Sequence, residues 1–107
     1  MRHINLNFDF NILEMVMFYQ RKSLIDLIKD VLPEDLSKNE LEVLDYFLRN
    51  ISVGEIIALK EIRLLYKIDD PVPILEKLLK KGLIERGEGC FNLSKNLRDL
   101  LKTRMKS

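Results

Sequence analysis

The sequence of 107 residues predicts a mainly helical α+β domain that carries a small β-hairpin. Three observations support that expectation. Apolar residues recur every three or four positions through residues 38–49, 59–66, 71–81 and from 94 onward, the spacing of a helix with one buried face. Asn11 with Glu14, and Ser37 with Glu40, have the spacing of capping boxes that open helices. Two short apolar runs flank Gly87-Glu88-Gly89, the pattern of a hairpin.

Taken in order, the amino terminus alternates Ile4, Leu6, Phe8 and Phe10 with Asn5, Asn7 and Asp9, which predicts a half-buried strand. The Asn11 box then opens a helix whose apolar positions include Leu13, Met17, Leu24, Leu27 or Ile28, and Val31. Pro33 ends it near Leu32, because proline disfavours helical geometry in its predecessor. The Ser37 box opens a helix from Lys38 to Arg49 with Leu41, Leu44, Phe47 or Leu48, and Ile51 facing inward. Gly54 interrupts that pattern. Glu55-Ile56-Ile57-Ala58 is then expected as a brief strand, followed by a helix from Leu59 to Tyr66 with Ile62, Leu65 and Ile68 inward. Asp69-Asp70-Pro71 makes a turn and cap, since proline fits the first helical turn. The helix that follows runs to Lys81, buries Ile74, Leu75, Leu78 and Leu79, and stops with Gly82 at the position after its end. Residues 83–86 and 90–93 form the hairpin. Ser94 caps a last helix with Leu97, Leu100 and Leu101 inward.

Composition bounds the function. One Cys excludes an internal disulfide and points to a reducing, cytoplasmic setting, and Cys90 is expected as a small residue of the core. A single Cys and a single His, His3, fall short of a structural zinc site, so no metal or other cofactor is expected. There is no Ser/His/Asp set and no phosphate-cradling Gly-rich loop, so no catalytic residues are assigned and an enzyme is not expected. Carboxylate pairs such as Glu40 and Glu42 are placed on solvated helix faces. The longest apolar run, Met15 to Tyr19, is far short of the roughly 20 residues a membrane helix needs, and no signal peptide is visible. Leu and Ile together number 31 while Gln appears once, a bias similar to that of thermophile proteins, although seven Asn remain and an AT-rich genome gives the same trend. The net charge of +1 excludes a globally basic nucleic-acid binder. It is an average, however: residues 1–36 carry four bases and six acids, whereas residues 94–107 carry five bases and one acid.

The run from Ile74 to Arg86, a Leu-rich helix closed by Lys81-Gly82-Leu83-Ile84 and entering a hairpin, resembles the third helix and wing of a winged-helix (winged helix-turn-helix) domain. Phe91-Asn92-Leu93-Ser94 is similar to the Tyr-x-Leu-Thr that precedes the last helix in MarR- and PadR-like bacterial and archaeal regulators. The resemblance covers residues 37–107 and leaves residues 1–36 as a separate amino-terminal strand and helix. It implies a second helix that crosses the phosphate backbone and a third that lies in the major groove with its amino-terminal end at the bases. The DNA-contacting residues it implies are Lys60, Arg63 and Lys67 on the second helix and Val72, Lys77, Lys80 and Lys81 on the third. The matching head of the third helix, Asp69-Asp70-Pro71-Val72-Pro73, departs from the family pattern. It presents two carboxylates and no side-chain donor to a base edge.

The amino-terminal segment is more apolar than one packing face requires. Phe8, Phe10, Leu13, Met17, Phe18 and Leu24 are therefore expected as homodimer or partner contacts. Two functions follow. The leading one, which the family resemblance implies, is a dimeric transcriptional regulator that binds double-stranded DNA. The second is a protein–protein interaction module, an accessory subunit of a transcription, replication or repair complex with a heterologous protein partner. The acidic, Pro-interrupted head of the third helix and a hairpin loop without Lys or Arg favour the second.

Overall fold

Ser37 and Glu40 form the predicted capping box. The Glu40 N–H donates to Ser37 Oγ at 3.1 Å, and the Ser37 N–H donates to Glu40 Oε1 at 2.8 Å. Helix α1, Lys38–Arg49, begins there. In the computed structural model, residues 24–106 are described. The strand expected over the first ten residues, the Asn11–Glu14 box, His3, and Phe8, Phe10, Leu13, Met17 and Phe18 lie outside the described residues. The end of the amino-terminal helix lies inside: residues 24–28 are helical and Lys29–Val31 tightens into a 3-10 turn. Leu32 is extended ahead of Pro33, as the proline requires.

The remaining elements are β1 (Ser52–Gly54), α2 (Glu55–Tyr66), α3 (Val72–Lys80), β2 (Ile84–Gly87), β3 (Cys90–Leu93) and α4 (Lys95–Met105). They make a mainly helical α+β fold with a three-stranded antiparallel sheet in the order β1-β3-β2. β3 is the centre strand. It pairs with β2 through the hairpin, Arg86 opposite Phe91, and with β1 from far away in sequence, Ser52 opposite Asn92. Gly89 supplies the positive φ that this tight turn needs, and Gly82 does the same after α3.

α1 packs against α2, α3 and β3. The core gathers Val43, Leu44, Tyr46, Phe47 and Leu48 from α1, Ala58 and Ile62 from α2, and Leu75 and Leu78 from α3. Ile84, Phe91, Leu93, Leu97 and Leu101 complete it. Phe47 stands at its centre, edge-on to Tyr46 at 5.1 Å and to Phe91 at 6.2 Å between ring centroids. Leu24 and Ile28 enter the same core, and Arg104 on α4 donates to the Leu27 carbonyl and pairs with Asp30, clasping that segment to the domain.

Five local expectations change. The strand falls on Ser52–Gly54, and Glu55 to Ala58 are the first turn of α2. Gly54 ends the strand in extended geometry at the helix cap, Glu55 is the acid in that first turn, and the Glu55 N–H donates to the Gly89 carbonyl at 2.9 Å. Ile51, expected inward, is exposed, because the chain has left α1 and its carbonyl turns to accept from Leu93 N–H. Leu65 and Val31 are also exposed: Leu65 overhangs an open groove beside α1, and Val31 sits in the 3-10 turn, which is off the helical phase. Glu40 is not solvated. It is buried, with Lys81 Nζ at 3.2 and 3.4 Å from its two oxygens. Among the described residues no helix is long and apolar enough to cross a membrane.

Candidate functional site: the outer face of helix α2

Eight of the twelve residues of α2 are apolar, more than one buried face can use. Its inner side is built from small and medium residues. Ala58 and Ile62 are fully buried, with Leu59 and Tyr66 partly buried beside them. That side accounts for half of the apolar residues. The other half are exposed: Ile56 is 82% exposed, Leu64 68%, Leu65 65% and Ile57 54%. Ile56, Lys60 and Leu64 follow one another at intervals of four residues, so they form a single ridge, flanked by Ile57 on one side and Arg63 on the other.

The helix is fixed at both ends. At its start, the Glu55 carboxylate receives Arg86 Nη1 at 3.1 Å, and the same guanidinium lies 4.9 Å from the Phe91 ring centre. Further along, Tyr46 OH donates to Glu61, and the Tyr66 hydroxyl accepts from Arg49 Nη2 at 2.9 Å. Burial and the neighbouring Glu61 carboxylate both push the Tyr46 hydroxyl pKa well above its usual value, so Tyr46 stays a donor. At its end, Lys67 takes a left-handed conformation with φ of 55°. The two acids of α2 are thus held within the fold. Lys60 and Arg63 have no ion-pair partner among the described residues.

Beside the carboxyl-terminal end of α2 runs a groove of about 780 Å³, lined by Ile25, Leu41, Asp45, Tyr46, Leu65 and Tyr66 among others. Asp45 is buried at its edge and pairs with Arg49, one turn along α1. Among the described residues no cluster of His, Cys, Asp or Glu is placed to hold a metal ion.

The expected site residues within the described part of the chain separate into four groups. Lys60, Arg63 and Lys67 are exposed on or just after α2, interleaved with the apolar ridge. Lys77 and Lys80 are exposed on α3, and Val72 is exposed at its head, where the Val72 N–H donates to Asp70 Oδ1 at 3.2 Å. Lys81 is drawn inward to Glu40 and has Asp35 within 3.7 Å, so its ammonium is engaged inside the domain. Leu24, expected as a dimer or partner contact, is buried in the core. Cys90 is half-buried on the hairpin, its thiol directed at Asn92. Ile56, Ile57, Leu64 and Leu65 were not among the expected site residues. The signal for them was present in the apolar run 56–59 and the pair 64–65, which a single continuous helix spreads around its circumference, beyond the reach of one buried face.

The fold and this surface define a small α+β domain that presents an exposed apolar helix face. No curated protein matches the chain significantly. A family profile does, over residues 37–99, more than half of the chain. The chain belongs to the family described as PolB1 Binding Protein 2. That description names a protein-binding role, which is nearer to the accessory-subunit reading than to the DNA-binding regulator.

Proposed function

We propose that the protein is a non-catalytic accessory subunit that binds a PolB1 DNA polymerase through the outer face of α2, on a winged-helix scaffold. One observation carries the docking face: four large aliphatic side chains stand in solvent on a single helix whose inner side is already packed. The family description supplies the class of partner. The element order, helix, strand, two helices, hairpin and final helix, with β1 closing on β3, supports the scaffold.

The test is a binding titration of the full chain against a purified PolB1 polymerase subunit. Ile56→Asp with Leu64→Asp removes two apolar anchors, each worth roughly 1.5–3 kcal/mol when buried, and desolvates two carboxylates. The expected outcome is a loss of affinity of about 100-fold or more with an unchanged far-UV circular dichroism spectrum. Unaltered affinity in that variant moves the docking face elsewhere, and a wild-type chain that fails to bind the polymerase removes the reading.

A second reading, weak association with duplex DNA, is favoured by Lys77 and Lys80, exposed on α3 without ion-pair partners among the described residues. Such binding is compatible with the first, because a polymerase accessory works beside DNA. Homodimerisation takes no part in either.

A further inference from the structure

The charges on the α2 face identify what covers it. Glu55 is bound to Arg86 and Glu61 to Tyr46, so the acids of the helix are satisfied internally. Lys60 and Arg63 remain exposed and without ion-pair partners among the described residues, set within the ridge of Ile56 and Leu64. We propose that this face receives an acidic amphipathic helix of the partner protein. Its apolar stripe lies along Ile56, Ile57 and Leu64, and its carboxylates meet Lys60 and Arg63. The proposal rests on the polymerase-binding reading and names the partner's docking element.

Shape and charge both favour such a helix. A ridge spaced every four residues is the shape that seats in the groove of another helix, and Ile56 to Leu64 spans about 12 Å, enough for two turns of a partner. A nucleic-acid backbone satisfies Lys60 and Arg63 but leaves exposed aliphatic side chains against hydrated phosphates, with no apolar area removed from water. An acidic helix satisfies both kinds of residue together, and opposite charge across the seam selects against basic competitors.

The test uses the full chain in complex with the PolB1 polymerase subunit. A zero-length carbodiimide reagent couples amines only to carboxylates that touch them, so mass spectrometry of the cross-linked complex reports which groups meet Lys60. The expected product joins Lys60 to an Asp or Glu in a helical segment of the polymerase. Lys60→Glu with Arg63→Glu is expected to weaken binding by about tenfold or more at low salt, with a smaller penalty at high salt as charges are screened. Reversing the cross-linked carboxylates to Lys in the polymerase restores the affinity of that variant. A complex that forms without a Lys60 cross-link, and that the double charge reversal leaves within about twofold, overturns the proposal while the polymerase reading stands. A double reversal that abolishes duplex DNA binding but spares the polymerase also overturns it. Absence of any wild-type complex removes the polymerase reading and this proposal together.

Discussion

Replacing Lys81 with Ala tests the tie between the start of α1 and the end of α3. In the native protein the buried Glu40 carboxylate accepts from the Ser37 N–H at 2.8 Å and from Lys81 Nζ at 3.2 Å. Lys81→Ala leaves the backbone N–H as the remaining donor to a buried charge. A fully buried pair loses roughly 3–5 kcal/mol when one partner goes. Here the Lys81 side chain keeps 24% of its surface in water and the Ser37 donor survives, so the figure for hydrogen bonds to charged groups applies, about 1.5–3 kcal/mol. For a domain of this size that is roughly 6–20 °C in Tm. Glu40→Gln keeps an acceptor for Ser37 and releases Lys81 to solvent and Asp35, so it costs less, about 1 kcal/mol. Combined in a double-mutant cycle followed by urea unfolding, the two are expected to show a coupling of about 1–2 kcal/mol. Additive effects within about 0.3 kcal/mol refute the tie. The acid limb gives a second readout. Burial pushes the Glu40 carboxyl up, but the Ser37 N–H and the Lys81 ammonium outweigh it and hold it below its ordinary value of 4.5. A folded value below the unfolded one contributes stability that is complete above about pH 4.5 and is lost as pH falls through the folded value. Glu40→Gln is therefore expected to flatten the decline of Tm below pH 4.5 and to leave the slope near pH 7 unchanged.

Two further outcomes follow from the helix ends and faces. Lys67 ends α2 with φ of 55°, which strains any side chain but glycine, so Lys67→Gly is expected to raise stability by about 0.5–1 kcal/mol by thermal melting; a fall in Tm contradicts it. If α3 touches duplex DNA, Lys77→Ala with Lys80→Ala shallows the slope of log affinity against log salt by about 1 for every phosphate no longer neutralised, read by fluorescence anisotropy, and an unchanged slope places the DNA on another surface.

Most of the fold was legible because its punctuation is local. The Ser37–Glu40 box, Ser94 with its bond from the Leu97 N–H, Gly82 and the loop 87–89 each declare themselves within four residues. What was not legible depends on partners far along the chain. Ser52–Gly54 becomes a strand because β3, about 40 residues later, supplies its hydrogen bonds, and no local pattern distinguishes it from the apolar run 56–59. A strand over residues 55–58 leaves α2 a turn short and hides its second apolar face, so in the sequence Lys60 and Arg63 stand out without the aliphatic residues that surround them in the helix. Glu40 looked solvated because its partner Lys81 lies 41 positions away.

The strand order has a consequence for how the chain reaches this state. β3, the last strand in the described residues, is the middle one, and among those residues each of the other two pairs with it alone. While the ribosome is still short of residue 93, β1 and β2 lack the strand that pairs them among the described residues, and the apolar faces of α1 and α3 lack Phe91 and Leu93. The sheet is therefore complete only once the carboxyl-terminal hairpin is made, and its β1–β3 pairing closes a loop of some 40 residues. A nascent chain halted before Cys90 leaves the core without Phe91 and Leu93, so its unfinished apolar surface adds to the aliphatic ridge of α2 that the complete protein also exposes.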